Sequence, residues 1–196
     1  MVYISKVYTR SGDDGGTMLA SGDRIGKDHP RIRSYGDLDE LNSAIGFLRA
    51  EIGRVQAGFA ALNFLSDVDV ELRRVQQELF NVGAELATPG IELTEHAIAQ
   101  RHVDALEQAM DRYNEALDPL TSFVLPGGGP VGASCHIART VCRRAERELV
   151  ALAHEDSVRP ELLKYVNRLS DYFFVLARAT AKRLGVAETL WDPKSV

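Results

Sequence analysis

The stretch Cys135-His136-Ile137-Ala138-Arg139-Thr140-Val141-Cys142-Arg143-Arg144-Ala145-Glu146-Arg147-Glu148-Leu149-Val150-Ala151-Leu152 decides the fold. Residues 135, 138, 142, 145, 149 and 152 are small or apolar and recur in alternating steps of three and four. That is one face of an α-helix. Four more segments keep the same rhythm: Leu38, Leu41, Ile45, Leu48 and Ile52; Val68, Leu72, Val75, Leu79, Val82 and Leu86; Val103, Leu106, Met110, Tyr113 and Leu117; Leu162, Val166, Leu169, Phe173, Leu176 and Thr180. Seams of this kind suit near-antiparallel bundle packing. No segment sustains two-residue alternation, so the expected fold class is all-α, without a sheet.

Punctuation agrees with five helices. Gly36-Asp37 precedes the first, Thr88-Pro89-Gly90 ends the second, and Thr94 offers a cap to the third. Pro126-Gly127-Gly128-Gly129-Pro130 separates the third from the fourth. Pro160 fits the first turn of the fifth and Gly185 its C-terminal cap. Residues 9 to 34 read as a long ordered loop, and loops of that length are usually functional.

The 196 residues suggest one domain, 45 % apolar and 26 % charged, with net charge −5. That charge argues against a nucleic-acid binder. No apolar run approaches the ~20 residues of a membrane span. The start, Met1 to Lys6, lacks the apolar stretch of a signal peptide, so the expected location is cytoplasmic. Cys135 and Cys142 fall two helical turns apart, about 10 Å, too far for a disulfide. Both are expected reduced and in the core.

Two constellations carry chemistry. Thr9-Arg10-Ser11-Gly12-Asp13-Asp14-Gly15-Gly16-Thr17 packs glycines and hydroxyls between two basic residues, Arg10 and Lys27. Glycine lets successive N–H groups turn inward into an anion-binding concavity, and a polyphosphate suits it. The same stretch also reads as a flexible lead into the first helix. No Gly-Lys-Ser/Thr of a Walker A loop is present. On the fourth helix, Arg139, Arg143 and Glu146 fall on one flank of the seam, with Arg147 further out. Arg144 and Glu148 fall on the other flank, as an exposed i, i+4 ion pair. Two guanidinium groups one turn apart repel unless an anion joins them, so the Arg139–Arg143 flank calls for a carboxylate or phosphate. Asn167 and Asp171 share a face of the fifth helix, and Asn167 can both donate to and accept from a ribose or base edge. Phe123-Val124-Leu125 before Pro126 reads as an apolar wedge, or as a buried connection.

Taken in order, these motifs resemble the PduO-type ATP:cob(I)alamin adenosyltransferases. The resemblance rests on Thr9 to Thr17, Arg24, Lys27, Tyr35-Gly36-Asp37-Leu38-Asp39-Glu40-Leu41-Asn42, Phe123 to Gly128, His136 to Arg147 and Tyr165 to Asp171. It runs from about residue 8 to the region of Trp191. It implies a single domain over 1–196, with a phosphate-binding loop region (1–34) and a five-helix bundle (37–190), assembled as a homotrimer. By resemblance, Thr9, Arg10, Ser11, Gly12, Asp13, Gly15, Gly16, Thr17 and Lys27 hold the triphosphate of ATP. Arg143, Arg144, Glu146, Arg147 and Asn167 complete the nucleotide site, with Arg143 catalytic. Asp39 and Arg139 pair across the subunit interface, and Phe123 presses on the lower face of the corrin. Magnesium arrives with ATP and takes no protein side chain as ligand. Cobalamin is the second substrate. A flavin-dependent reductase and an adenosylcobalamin-dependent acceptor enzyme are the implied partners, with no nucleic acid or membrane. Cys135 replaces a larger aliphatic residue common in that family, and Gly129-Pro130 stiffens the corrin-side loop.

The implied reaction is attack of Co(I) on the ribose 5′-carbon, which expels triphosphate and needs no protein nucleophile. Two rivals share parts of the pattern. A phosphotransferase would use the same anion cradle but leave ADP, and a non-catalytic helical assembly protein would leave the cradle empty. A ferritin-like di-iron bundle is excluded, because none of the five histidines follows a glutamate by three residues.

Overall fold

A computed structural model of the chain describes residues 7–90 and 96–195. Five helices follow a short hairpin: β1 (Gly16–Met18), β2 (Arg24–Gly26), α1 (Pro30–Gly53), α2 (Phe59–Ala87), α3 (Gln100–Asn114), α4 (Gly129–Glu155) and α5 (Pro160–Arg183). The third expected helix stops at Asn114, short of Leu117. Thr94 lies outside the described residues.

The helices pack side by side in the order α2, α1, α4, α5, α3, and α2 also touches α5 to close the bundle. All the seam residues named above from α2, α4 and α5 are buried, as are both free cysteines. Each buried Val, Leu or Phe of these seams contributes roughly 1.5–3 kcal/mol. Burial lifts the Cys135 thiol to about 12 and raises that of Cys142 further still, so neither is a nucleophile.

Two features depart from the expected layout. The first is a sheet: β1 and β2 pair antiparallel, Gly16 opposite Gly26 and Met18 opposite Arg24. Three residues per strand are too few to show alternation. The second is the start of α1, six residues before Gly36. His29 caps it, its Nδ1 accepting from the Arg31 amide at 3.1 Å, and Pro30 sits in the first turn. The seam in fact runs Arg31, Ser34, Leu38, Leu41, Ile45, in steps of three and four. Its first two members are polar, which hid them from a search for apolar periodicity. Arg31 is 2 % exposed and survives burial because it donates to the Leu86 carbonyl (2.8 Å) and pairs with Asp156 beyond α4.

α1 and α4 run antiparallel. Ser34 Oγ donates to the Glu148 carbonyl near the end of α4, whereas Glu51 and Val55 line a cavity with Pro130 and Val131 at its beginning. This direction fixes where the functional groups lie.

Candidate functional site

The hairpin stands at the end of the bundle where α4 finishes. The Ala20 amide donates to the Ala87 carbonyl at 3.1 Å, and α1 departs from there beside Asp156. Within residues 9–17 the loop is tied to itself. Lys27 Nζ donates to the Gly12 carbonyl (2.7 Å), and the Lys27 amide donates to Gly15 (2.8 Å). Arg24 clasps both oxygens of Asp14, whose carboxylate also accepts from the Gly16 amide. That amide bond, then the Arg24 charge, hold the Asp14 pKa below the usual value. Arg10 has φ 62°, the only positive φ on a described non-glycine residue. Such backbone strain gathers where a ligand is clamped. A Cβ added at Gly12 or Gly16 would push aside Lys27 Nζ (2.9 Å) or the Arg24 guanidinium (2.7 Å), the two groups that tie the loop.

Along α4 the two arginine flanks face different neighbours. Arg144 bonds Asp37 (3.2 Å) and Glu40 of α1, so the expected Arg144–Glu148 pair does not form. Glu148 meets Arg33 instead, because α1 begins early enough to bring Arg33 alongside. On the other flank Glu146 accepts from Asn167 Nδ2 of α5 at 2.8 Å. Arg147 donates to the Arg143 carbonyl. Among the described residues Arg139, Arg143 and Arg147 form no ion pair, and the buried Arg139 Nε has no hydrogen-bond partner. Burial first, then the Arg143 charge, lower the Arg139 pKa. Asp171 lies 3.8 Å from Arg168.

Phe123 lies at the opposite end, where α4 begins. Its ring is 77 % exposed. A C-terminal strap, residues 186–191, holds it: Val124 bridges Leu190, the Trp191 amide donates to the Phe123 carbonyl (2.7 Å), and the two rings stand 6.2 Å apart. Buried Arg178 clips the strap through Glu188 and holds the Asp118 carbonyl as well. Gly132 lets the loop approach α4, since a Cβ there would stand 2.7 Å from the Gly127 carbonyl. Sequence reading missed this strap; its partners are mostly backbone groups, which carry no residue code.

One chain therefore gathers Arg139, Arg143, Glu146, Arg147 and Asn167 but keeps the loop and Phe123 apart. The 27 residues of α4 separate those two ends by about 40 Å. Residues 9–17 make no hydrogen bond or ion pair to α4. Asp39, exposed on α1, forms no ion pair among the described residues. It lines an apolar cleft of about 460 Å³ with Leu79, Gly83, Ala84 and a largely exposed Phe80.

Comparison with known proteins names the family. Residues 7–180 match the family model for cobalamin adenosyltransferase. The chain belongs to the PduO-type corrinoid adenosyltransferase family. It is 43 % identical over 197 residues to a corrinoid adenosyltransferase of Mycobacterium tuberculosis, covering 98 % of this chain and 95 % of that one. It is 42 % identical to corrinoid adenosyltransferase PduO of Salmonella typhimurium over 88 % of this chain and 49 % of that protein. A phenylalanine-to-alanine variant of the PduO-type ATP:corrinoid adenosyltransferase from Lactobacillus reuteri, complexed with cobalamin and ATP, superposes with a TM-score of 0.84. That match is 34 % identical and covers 95 % of this chain and 99 % of the other. No described helix is long and apolar enough to cross a membrane.

Proposed function

We propose that this corrinoid adenosyltransferase moves the 5′-deoxyadenosyl group of ATP onto cob(I)alamin at a site built between copies of the chain. The observation that carries the reading is the flank of Arg139, Arg143 and Arg147, which no carboxylate among the described residues neutralises, beside the Asn167–Glu146 pair. Co(I) holds the attacking electron pair. As the Co–C bond forms at the 5′-carbon, the C5′–O bond breaks and its electrons leave with triphosphate. The protein needs neither nucleophile nor general base; it supplies position and charge neutralisation.

The loop Thr9 to Thr17, with Lys27, holds the phosphates through the Lys27 ammonium and the hydroxyls of Thr9, Ser11 and Thr17. Arg143 and Arg147 meet the charge that grows on the leaving triphosphate, each charge-assisted bond contributing roughly 1.5–3 kcal/mol. Asn167 and Glu146 orient the nucleoside. Arg144 serves the site at one remove, holding Asp37 and Glu40 and so fixing α1 against α4. We assign magnesium to the phosphates of the nucleotide, with no protein side chain among its ligands.

A second copy resolves the 40 Å separation. Asp39 of one chain neutralises Arg139 of another, giving the orphaned Nε its acceptor. This brings the loop of the first chain to the arginine flank of the second. Three copies closing a ring satisfy every such contact. Phe123 then presses the lower corrin face and displaces the lower ligand, which reduces electron donation to cobalt and eases its reduction from Co(II). A flavin-dependent reductase supplies the electron, and an adenosylcobalamin-dependent enzyme accepts the product.

An anaerobic assay with ATP, magnesium and chemically reduced cobalamin tests the reading. The corrinoid spectrum shifts to the alkylated form with one triphosphate released per turnover. Release of ADP, or an unchanged spectrum, contradicts it.

A further inference from the structure

An exposed ring that must press on a ligand needs a rigid support. The Phe123 ring has little packing of its own: among the described residues its aromatic neighbour is Trp191, 6.2 Å away. Its stiffness therefore comes from its backbone. The Trp191 amide donates to the Phe123 carbonyl (2.7 Å), the Leu125 amide donates to the Thr189 carbonyl (2.8 Å), and Ser122 Oγ donates to the Trp191 carbonyl (2.7 Å). All three bonds join the loop to the strap, and none joins it to a helix. A cavity of about 250 Å³ lies between residues 124–128, His136 of α4 and Ala177 of α5. The loop thus spans a space instead of resting on a packed floor.

One side chain ties this pair of segments to the bundle on both sides of Phe123. Arg178, buried in α5, donates from Nε and Nη2 to the two Glu188 oxygens (2.8 and 3.2 Å). Its Nη2 also donates to the Asp118 carbonyl (2.8 Å). Asp118 precedes the segment that leads to Phe123, and Glu188 belongs to the strap that pairs with it. Among the described residues Glu188 is the one strap side chain that bonds a helix. A planar guanidinium fixes the direction of such bonds as well as their length.

Fold stability does not account for the clip. No residue of 186–191 is buried, so the strap adds little to the core. A charge is costly to bury, and here the buried guanidinium holds a segment that the bundle does not need. What the strap does hold is Phe123.

We propose that Arg178 and Glu188 are positioning residues for adenosyl transfer: their clip backs Phe123 against the load of displacing the lower cobalt ligand. In that displacement the Co–N bond breaks, its electron pair stays on the departing nitrogen, and no electron is exchanged. The inference rests on the corrinoid reading above.

Glu188 offers the cleaner test, because its side chain is 25 % exposed on the strap and its loss leaves the core intact. Cob(II)alamin is bound to the protein with ATP, and its electron paramagnetic resonance spectrum reports whether the lower nitrogen still couples to cobalt. Glu188→Ala should shrink the uncoupled population about tenfold and lower kcat to match, since misplacement by about 1 Å can cost ~100-fold. The KM for ATP should not change. Glu188→Gln keeps one acceptor for Arg178 and should stay within about threefold of the parent. In a Phe123→Ala background, adding Glu188→Ala should cost nothing more, because the clip acts through that ring. An unchanged uncoupled population in Glu188→Ala overturns the proposal. So do losses that multiply in the double variant, or a rise in the KM for ATP, either of which marks general loosening. In those cases the adenosyltransferase reading stands. Failure of the unaltered protein to alkylate cobalamin would overturn both.

Discussion

Arg144 and Arg143 are neighbours in sequence on the same helix, yet they lead opposite lives. Arg144 points to α1 and is satisfied by Asp37 and Glu40. Arg143 points away, beside Arg139 and Arg147, and forms no ion pair among the described residues. About 100° of helical rotation separates a group that holds the bundle together from the group we assign to the nucleotide. The difference teaches that unneutralised charge, rather than arginine content, marks the face proposed to bind ATP.

Removing Arg143 should have the largest effect on this contrast. Arg143→Ala is expected to weaken ATP binding roughly 10–100-fold, with little change in thermal stability, as calorimetric titration would show. Undiminished affinity would erase the distinction between the flanks. Next comes the charge swap. Asp39→Arg or Arg139→Asp alone should dissociate the assembly and lower activity, and the double variant should recover both, measured by sedimentation and turnover. Failure of the double variant to recover would remove Asp39 as the partner of Arg139.

Arg144→Ala should cost about 0.5–1 kcal/mol of stability, read from denaturant unfolding, while ATP affinity falls far less than in Arg143→Ala. Equal losses of affinity would place both flanks in the site. The smallest effect concerns pH. The hydrogen bond from Arg31 lowers the Asp156 pKa below its ordinary 3.8. A lowered folded pKa means that the clip stabilises fully above that value and is lost as pH falls through the folded one. Asp156→Asn should therefore flatten the acid limb of the stability profile below about pH 4 and leave its shape near neutrality unchanged. An unaltered acid limb would show that the clip contributes nothing.

Much of this was legible in the sequence because helices write themselves in apolar spacing. The seams of α2, α4 and α5 are buried as the three-and-four rhythm requires, and the wheel of α4 separates Arg143 from Arg144 correctly. The start of α1 escaped because Arg31 and Ser34 occupy seam positions with polar side chains that find partners only in three dimensions. The hairpin escaped because three-residue strands show no period. The partner of Arg144 depended on which residues of α1 lie opposite, a matter of helix direction and register. The strap over Phe123 depends on contacts between segments far apart in sequence, joined largely through backbone groups.

The central claim is that loop and arginine flank from different copies make one site. Co-expressing Lys27→Ala chains with Arg143→Ala chains tests it most directly. Each variant alone should be nearly inactive. If the site spans copies, random mixing restores an intact loop against an intact flank at about one quarter of the interfaces, and activity should recover to about that level. Mixed assemblies as inactive as either parent would contradict the account.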